Sequence, residues 1–288
     1  MNIIEQLRPL RAQVNQWRRN QQSIALVPTM GHLHDGHLAL VKHAKAKADH
    51  VIVSIFVNPL QFDNADDLKR YPSSLASDLQ KLSALGVEAI FRPTVDELYP
   101  LGMALTPKIH IPALGDEFCG AHRPGHFTGV ATIVSKLFNL IEPNIAVFGR
   151  KDYQQLLIIQ RLVSELNFDV EIQALDTVRA EDGLALSSRN VHLSTEERHL
   201  ASQLYATLKH IAVEAKQPQR LDNLATILAQ AATHLGQSSL EVEYLDLRDA
   251  SDLQAVRAGT SHAIALAAVR IGKVRLIDNI LFELPPEP

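Results

Sequence analysis

The sequence lacks several features that would announce a function. It has a single cysteine, Cys119, among 288 residues. That excludes an internal disulfide framework and a zinc site built on cysteines. Its net charge is −4, so there is no broad basic field to make nucleic acid the main partner. No apolar run reaches membrane-spanning length, and the opening Met-Asn-Ile-Ile-Glu-Gln-Leu-Arg has no apolar signal core. A cytoplasmic location is the default expectation. There is no Walker loop, no Gly-x-Gly-x-x-Gly run, no Gly-x-Ser-x-Gly elbow, no pair of carboxylates at metal-binding spacing, no internal repeat and no low-complexity linker. What remains is ordinary for a globular chain, 46% hydrophobic and 21% charged, with enough length for one large domain or two moderate ones.

The order of elements is more informative. Ile4, Leu7, Leu10, Val14 and Trp17 are spaced as one face of a helix over residues 1 to 20. Ile24 to Val27 is an apolar run that reads as a buried strand, ended by Pro28. A loop carries His32, His34 and His37, and helical spacing then resumes to about Asp49. Val51 to Val57 is a second buried strand, Leu75 to Leu85 a helix, and Gly86 to Phe91 a third strand. Lys108 to Ile111 has the composition of a short edge strand. The Gly-, Pro- and His-rich stretch Phe118 to Phe127 leads into an apolar helix over Thr128 to Leu140. Ile145 to Phe148 and Val170 to Leu175 read as further strands around a helix that ends near Leu166. Strands alternating with helices predict an α/β fold with a parallel sheet. After about residue 178 the pattern changes. Helices over Thr195 to Glu214 and Leu221 to Leu235 precede strands at Val242 to Arg248, His262 to Val269 and Val274 to Leu281. Arg270 to Lys273 suits a hairpin turn. The expectation is a first domain over 1–178 and a smaller α+β domain over 179–288.

Four polar constellations interrupt this pattern, three of them directly after strands, where ligands bind in open α/β sheets. His34-x-Gly36-His37 sits between a strand and a helix start, a natural anion site. Asn58 and Gln61 are uncharged amides that orient a hydroxyl or carboxylate, although Asn58-Pro59 is also common turn chemistry. Gly149-Arg150-Lys151-Asp152, followed by Gln154 and Gln155, combines a close backbone approach with a cation; Asp152 has the alternative reading of a helix cap. Ser187-Ser188-Arg189 gathers two hydroxyls and a guanidinium on one loop, and a helix-capping loop is the plainer alternative. Arg123-Pro124-Gly125-His126 is a stiff basic loop that could close over a site. The sets share phosphate donors and neutral polar contacts and offer no obvious nucleophile. That combination favours electrostatic and proximity catalysis on a nucleoside triphosphate.

These residues also resemble the signature blocks of one family, the pantothenate synthetases (pantoate–β-alanine ligases), within the HxGH nucleotidyltransferase group. The blocks are Pro28-Thr29-Met30-Gly31, His34-Asp35-Gly36-His37-Leu38, Ser54 to Phe62, Arg123 to Phe127, Lys151 to Gln155, Asp182 to Asn190 and Arg275 to Asn279. They run through nearly the whole chain in order and at compatible spacing. The resemblance implies a Rossmann-like nucleotide- and pantoate-binding domain, with the C-terminal α+β domain closing over the ATP site. It implies that ATP and (R)-pantoate give pantoyl-adenylate and pyrophosphate, and that β-alanine then gives pantothenate and AMP, with Mg²⁺ accompanying ATP. It also implies a homodimer. Carried over, Met30, Gly31, His34, Gly36, His37, Gly149, Arg150, Lys151, Asp152, Val178, Leu186, Ser187, Ser188 and Arg189 line the ATP site. His34, His37, Lys151 and Arg189 are the catalytic set, His37 being the proton donor. Gln61 and Gln155 hold pantoate with Asn58 beside them, and Gln61 also meets β-alanine. No residue is implied as a metal ligand. Cys119 and Arg150 depart from a family pattern that has Glu at both places. The alternatives are another HxGH nucleotidyltransferase with a stable product, and a nucleotide-binding regulator with a worn-out site.

Overall fold

The structure, a computed structural model, describes residues 1–217 and 220–285. It divides into two compact units, one of residues 1–150 and 155–176, the other of 151–154 and 177–288.

The first unit is built on six strands: β1 (Asn2–Ile4), β2 (Ile24–Thr29), β3 (His50–Ile55), β4 (Ala89–Phe91), β5 (Ile145–Gly149) and β6 (Glu171–Leu175). All pair in parallel, in the order β1-β4-β3-β2-β5-β6. Its helices are α1 (Leu7–Arg19), α2 (Asp35–Lys45), α3 (Ala65–Arg70), α4 (Leu75–Ala84), α5 (Val95–Leu98), α6 (Cys119–His122) and α7 (His126–Ile141); α8 (Tyr153–Glu165) begins in residues that group with the second unit. Side chains alternate across a strand, and here both sets are apolar. Ala25, Val27, Val51, Val53 and Val147 form one core with Val41 and Ala44 of α2 and Leu82 of α4. Ile24, Leu26 and Ile52 face the other way and are equally buried. A sheet covered on both faces is the form parallel strands require.

The chain runs from β2 to β3 on one side of the sheet and later to β5 on the other side of β2. The carboxyl ends of β2 and β5 therefore flank a topological switch point, the place where such sheets bind ligands. The histidine loop follows β2 and Arg150 follows β5.

Two sequence expectations are corrected. Residues 2–4 form the edge strand β1 rather than the first turn of a helix. Asn2, Ile3 and Ile4 pair with Ala89, Ile90 and Phe91, and backbone pairing with β4 outweighs the helical spacing of Ile4. Lys108 to Ile111 is not a strand. Its Ile109 N–H donates instead to the Thr132 hydroxyl at 3.0 Å, so the segment is held by a side chain of α7 and not by a ladder. Within the irregular stretch 118–127, one short helical turn, α6, forms before Arg123.

In the second unit α9 (Thr195–Glu214) and α10 (Arg220–Gln237) precede an antiparallel sheet in the order β7 (Glu241–Asp249), β8 (His262–Ile271), β9 (Val274–Glu283). A reciprocal Ser194–Glu197 capping box starts α9. Ala201, Leu204, Leu208 and Ile211 repeat every three or four residues and bury one stripe of α9 against Ala263, Ala265, Ala267 and Val269 of β8. Gly272, at φ +53°, turns β8 into β9.

Candidate active site

The histidine loop is built on a backbone that strands and helices rarely use. Gly31 has φ +80° and His32 φ +50°. A left-handed conformation suits glycine and is unfavourable for histidine, so something must hold it. That group is Asp78 on α4, only 1% exposed. One carboxylate oxygen accepts the His32 N–H at 2.8 Å, and the other accepts the Leu33 N–H at 2.9 Å and the Ser74 hydroxyl at 3.0 Å. Lys81, also on α4, donates to the Leu33 carbonyl at 2.6 Å. Sequence reasoning missed Asp78. The available signal was an acid four residues before Leu82, on the stripe of α4 that faces the core.

With the loop so fixed, His34 is the residue before the first turn of α2 and His37 lies in that turn. Their rings are 4.0 Å apart between centroids. The His34 N–H donates to His37 Nδ1 at 3.3 Å. An imidazole that accepts at Nδ1 carries its proton at Nε2, so His37 offers an N–H beside the positive end of a helix.

A second cluster follows β3. Asn58 is 1% exposed and Gln61 8%. Asn58 Nδ2 donates to Gln61 Oε1 at 3.3 Å and to the Gly129 carbonyl at 3.1 Å. Gln61 Nε2 lies 2.8 Å from Met30 Sδ, which joins the amides to the histidine loop. Gly129 on α7 lets this happen. A Cβ there would come within 2.5 Å of Gln61 N and closer still to the Leu60 carbonyl oxygen. The Arg123–His126 loop is tied to the same turn. His126 Nδ1 donates to the Gln61 carbonyl at 2.7 Å, Arg123 bonds that carbonyl at 3.4 Å, and Arg123 pairs with Asp63 at 3.1 Å. Tyr99, which sequence reasoning also missed, is 1% exposed and donates to Asn58 Oδ1 at 2.8 Å. Burial pushes its phenol well above the ordinary range, so it stays a neutral donor.

At the end of β5, Gly149 is followed by Arg150, whose guanidinium pairs with Asp176. Its charge is thereby partly offset. Gln155, the other amide assigned to pantoate, is half-buried on α8. Cys119 is buried.

The second unit holds Lys151, Asp152 and the Ser187–Arg189 loop. Lys151 Nζ is 3.5 Å from the Asp152 carboxylate, and its carbonyl accepts from Asn279 Nδ2 at 2.8 Å. Val178 and Leu186 close a hairpin, Leu186 N–H to Val178 carbonyl at 3.0 Å. Just beyond it, Ser187 Oγ accepts the Arg189 N–H at 3.3 Å and Ser188 is buried. The hairpin is anchored by Arg179. Its two terminal nitrogens bond both Asp278 oxygens at 2.6 and 2.9 Å, reach the Gly183 and Asn279 carbonyls at 3.1 Å, and its guanidinium carbon lies 3.6 Å from the centre of the Tyr205 ring. Thus Asp278-Asn279 of β9 supports both the hairpin and the Lys151 backbone. The sequence block 275–279 carried no assigned role; this geometry supplies one.

The fold and these clusters define a class: an α/β protein with a histidine-flanked helix start beside two buried, uncharged amides at a switch point. The chain belongs to the pantoate–β-alanine ligase family, whose model matches residues 2–281. It is 50% identical over 285 residues to the pantothenate synthetase of Neisseria meningitidis serogroup C, covering 99% of this chain and 100% of that one. It is 48% identical to that of Stutzerimonas stutzeri, covering 99% of each chain. Among solved structures, a pantothenate synthetase from Thermus thermophilus matches with a TM-score of 0.87 at 39% identity, over 97% of this chain and 99% of that one. A pantoate–β-alanine ligase from Francisella tularensis, complexed with "Beta-gamma ATP" and β-alanine, matches with a TM-score of 0.83 at 34% identity, over 98% of this chain and 97% of that one.

Proposed function

We propose that the protein joins (R)-pantoate to β-alanine in an ATP-dependent reaction, through pantoyl-adenylate, yielding pantothenate, AMP and pyrophosphate. Family membership supports the reaction, as do relatives named for it at about half identity over full lengths. The Francisella complex supports ATP and β-alanine as ligands here. One observation carries the reading furthest. Of the uncharged amides Asn58 and Gln61, Gln61 touches the histidine loop directly, its Nε2 2.8 Å from Met30 Sδ, and Asn58 bonds Gln61. An acid held by those amides is then within side-chain reach of the His34–His37 helix start.

A carboxylate is a poor acylating agent because oxide is a poor leaving group. In the first step a pantoate carboxylate oxygen attacks the α-phosphorus of ATP. The bond from that phosphorus to the bridging oxygen breaks, and its electron pair leaves with pyrophosphate. We assign Gln61 and Gln155 to pantoate, with Asn58 beside them, and Gln61 also to β-alanine. Negative charge grows on the phosphates, and fixed donors that meet it there lower the barrier. His34, His37, Lys151 and Arg189 take that role, His37 through Nε2. Met30, Gly31, Gly36, Gly149, Arg150, Asp152, Val178 and Leu186 to Ser188 supply the remaining ATP contacts. In the second step the β-alanine amine attacks the acyl carbon and AMP leaves.

Mg²⁺ belongs to the same proposal as an ion carried by ATP. Among the described residues no group of three His, Cys, Asp or Glu gathers, and Mg²⁺ bound largely by substrate phosphates and water needs none. When bound it neutralises phosphate charge. The domain division at residue 178, a homodimer and a cytoplasmic location are also part of this reading.

Product analysis tests it. ATP, pantoate and β-alanine should give pantothenate, AMP and pyrophosphate in equal amounts. ADP and phosphate would rule out the adenylate route. Pyrophosphate release into a stable nucleotidyl product, with no amine requirement, would point to a different nucleotidyltransferase.

A further inference from the structure

An amide side chain can present either end to a ligand, and which end Gln61 presents decides what it recognises. The two ends are nearly the same size but opposite in hydrogen-bonding sense. The neighbours of Asn58 settle the matter. Its Oδ1 faces the Leu60 N–H at 3.3 Å and the Tyr99 hydroxyl at 2.8 Å, while its Nδ2 faces the Gly129 carbonyl at 3.1 Å. Turned over, Asn58 would set its NH₂ against the Leu60 N–H and its oxygen against the Gly129 carbonyl, in a place where Asn58 and Tyr99 are each 1% exposed. Buried donors and acceptors without partners are costly, so Asn58 has one orientation.

The consequence passes to Gln61. Asn58 Nδ2 donates to Gln61 Oε1 at 3.3 Å. Gln61 Oε1 is thus turned toward Asn58, and the end turned toward the histidine loop is Nε2. Its partner among the described residues is Met30 Sδ. Thioether sulfur is a weak acceptor, readily exchanged for a substrate oxygen. Donors and acceptors alternate in one direction from Tyr99 through Asn58 to Gln61, and such chains polarise and strengthen each successive bond.

The geometry points to Tyr99 as a positioning residue for acid recognition: acting through Asn58, whose sense the Leu60 N–H and the Gly129 carbonyl fix, it tightens the chain that holds Gln61 with its NH₂ turned outward, so that the site favours a carboxylate or hydroxyl oxygen over a group that donates there. This rests on the proposed reaction with pantoate. The phenol touches no reacting atom in this scheme. It differs from a mere packing residue, such as Phe56 whose ring lies 6.2 Å from that of Tyr99, in strengthening a hydrogen bond three groups away.

The test is a split between substrates. Tyr99→Phe removes one hydroxyl and keeps the ring. Weakening the chain by one buried hydrogen bond should raise KM for pantoate about five- to tenfold, with KM for ATP within about twofold of wild type. Asn58→Asp provides a second, independent reading. Its carboxylate still accepts from Tyr99 but cannot donate to Gln61, which must turn Nε2 inward and show Oε1. The ratio of affinities for pantoate over its primary carboxamide, measured by inhibition, should fall at least about tenfold. A Tyr99→Phe protein with unchanged pantoate KM, or with equal rises in both KM values, would overturn the proposal. So would an unchanged acid-to-amide ratio in Asn58→Asp, even if Tyr99→Phe failed to fold. Wild-type protein is assayed alongside: no AMP from pantoate would overturn the reaction itself and this inference with it, whereas an active wild type with indifferent variants would overturn this inference alone.

Discussion

Replacing Asp78 by Asn should leave a folded protein that adenylates poorly. The side chain keeps its size, but one acceptor oxygen becomes an NH₂ facing a backbone N–H of His32 or Leu33. A hydrogen bond to a charged group is worth about 1.5–3 kcal/mol, and an unsatisfied buried donor costs a similar amount. The expected loss of stability is about 2–4 kcal/mol, less than the roughly 5–15 kcal/mol that holds most domains together. The functional effect should be larger. His32 sits at φ +50°, and without the carboxylate it would relax toward negative φ and carry His34 and His37 with it. Misplacing reacting groups by about 1 Å costs on the order of 100-fold. Urea denaturation gives the first quantity and rapid-quench pyrophosphate release in a single turnover gives the second. Ser74→Ala, which removes only one of the three bonds to Asp78, should show a fraction of each effect. An Asn variant with wild-type single-turnover rates would refute the idea that Asp78 holds the histidine loop in a geometry the proposed reaction needs.

Three further outcomes follow from other parts of the molecule. Gly129→Ala forces a methyl group against the Leu60–Gln61 backbone, so it should lower stability by about 2–3 kcal/mol and raise KM for pantoate more than for ATP; thermal melts and substrate titrations measure both. Arg179→Lys keeps the charge but loses the two-pronged bond to Asp278 and the contact with Tyr205, so about 2–3 kcal/mol of stability should go and KM for ATP should rise as the Ser187–Arg189 loop loosens. Burial opposes the charge on Glu88, but Lys45 and the Val51 N–H outweigh it and hold the carboxyl below its usual 4.5. A depressed carboxyl pKa stabilises the fold above the unfolded value, and that contribution is lost as pH falls through the folded value. Wild type should therefore lose up to about 1 kcal/mol more than Glu88→Gln between about pH 6 and about pH 3, by urea titration.

Much of this architecture was legible because strands buried on both faces carry unbroken apolar runs. Ile24 to Val27 and Val51 to Ile55 could hardly be read otherwise. Residues 2–4 could not be read as a strand, since three residues show no period and Ile4 also fits the spacing of α1. His34, His37, Asn58 and Gln61 were legible because polar groups stand out immediately after apolar strands. Asp78 and Tyr99 were not. They act on residues 41 to 46 positions away, and in sequence one is an ordinary helix acid and the other an ordinary aromatic beside a proline. Resemblance alone places Arg150 in the ATP site; its pairing with Asp176 joins the ends of two neighbouring strands, and residue spacing carries no trace of that.

The edge strand β1 also bears on how the chain assembles as it is made. Among the described residues its one partner in the sheet is β4, and Leu7 N–H just beyond it donates to Glu97 at 2.6 Å. Residues 2–4 leave the ribosome long before residues 89–97. At roughly 5–20 residues per second the wait is several seconds. Meanwhile β2 and β3, paired over six positions, can already have met. Sheet growth therefore starts near the middle and reaches this border late, so that Ile3 and Ile4 spend the interval as an unpaired apolar segment open to chaperones.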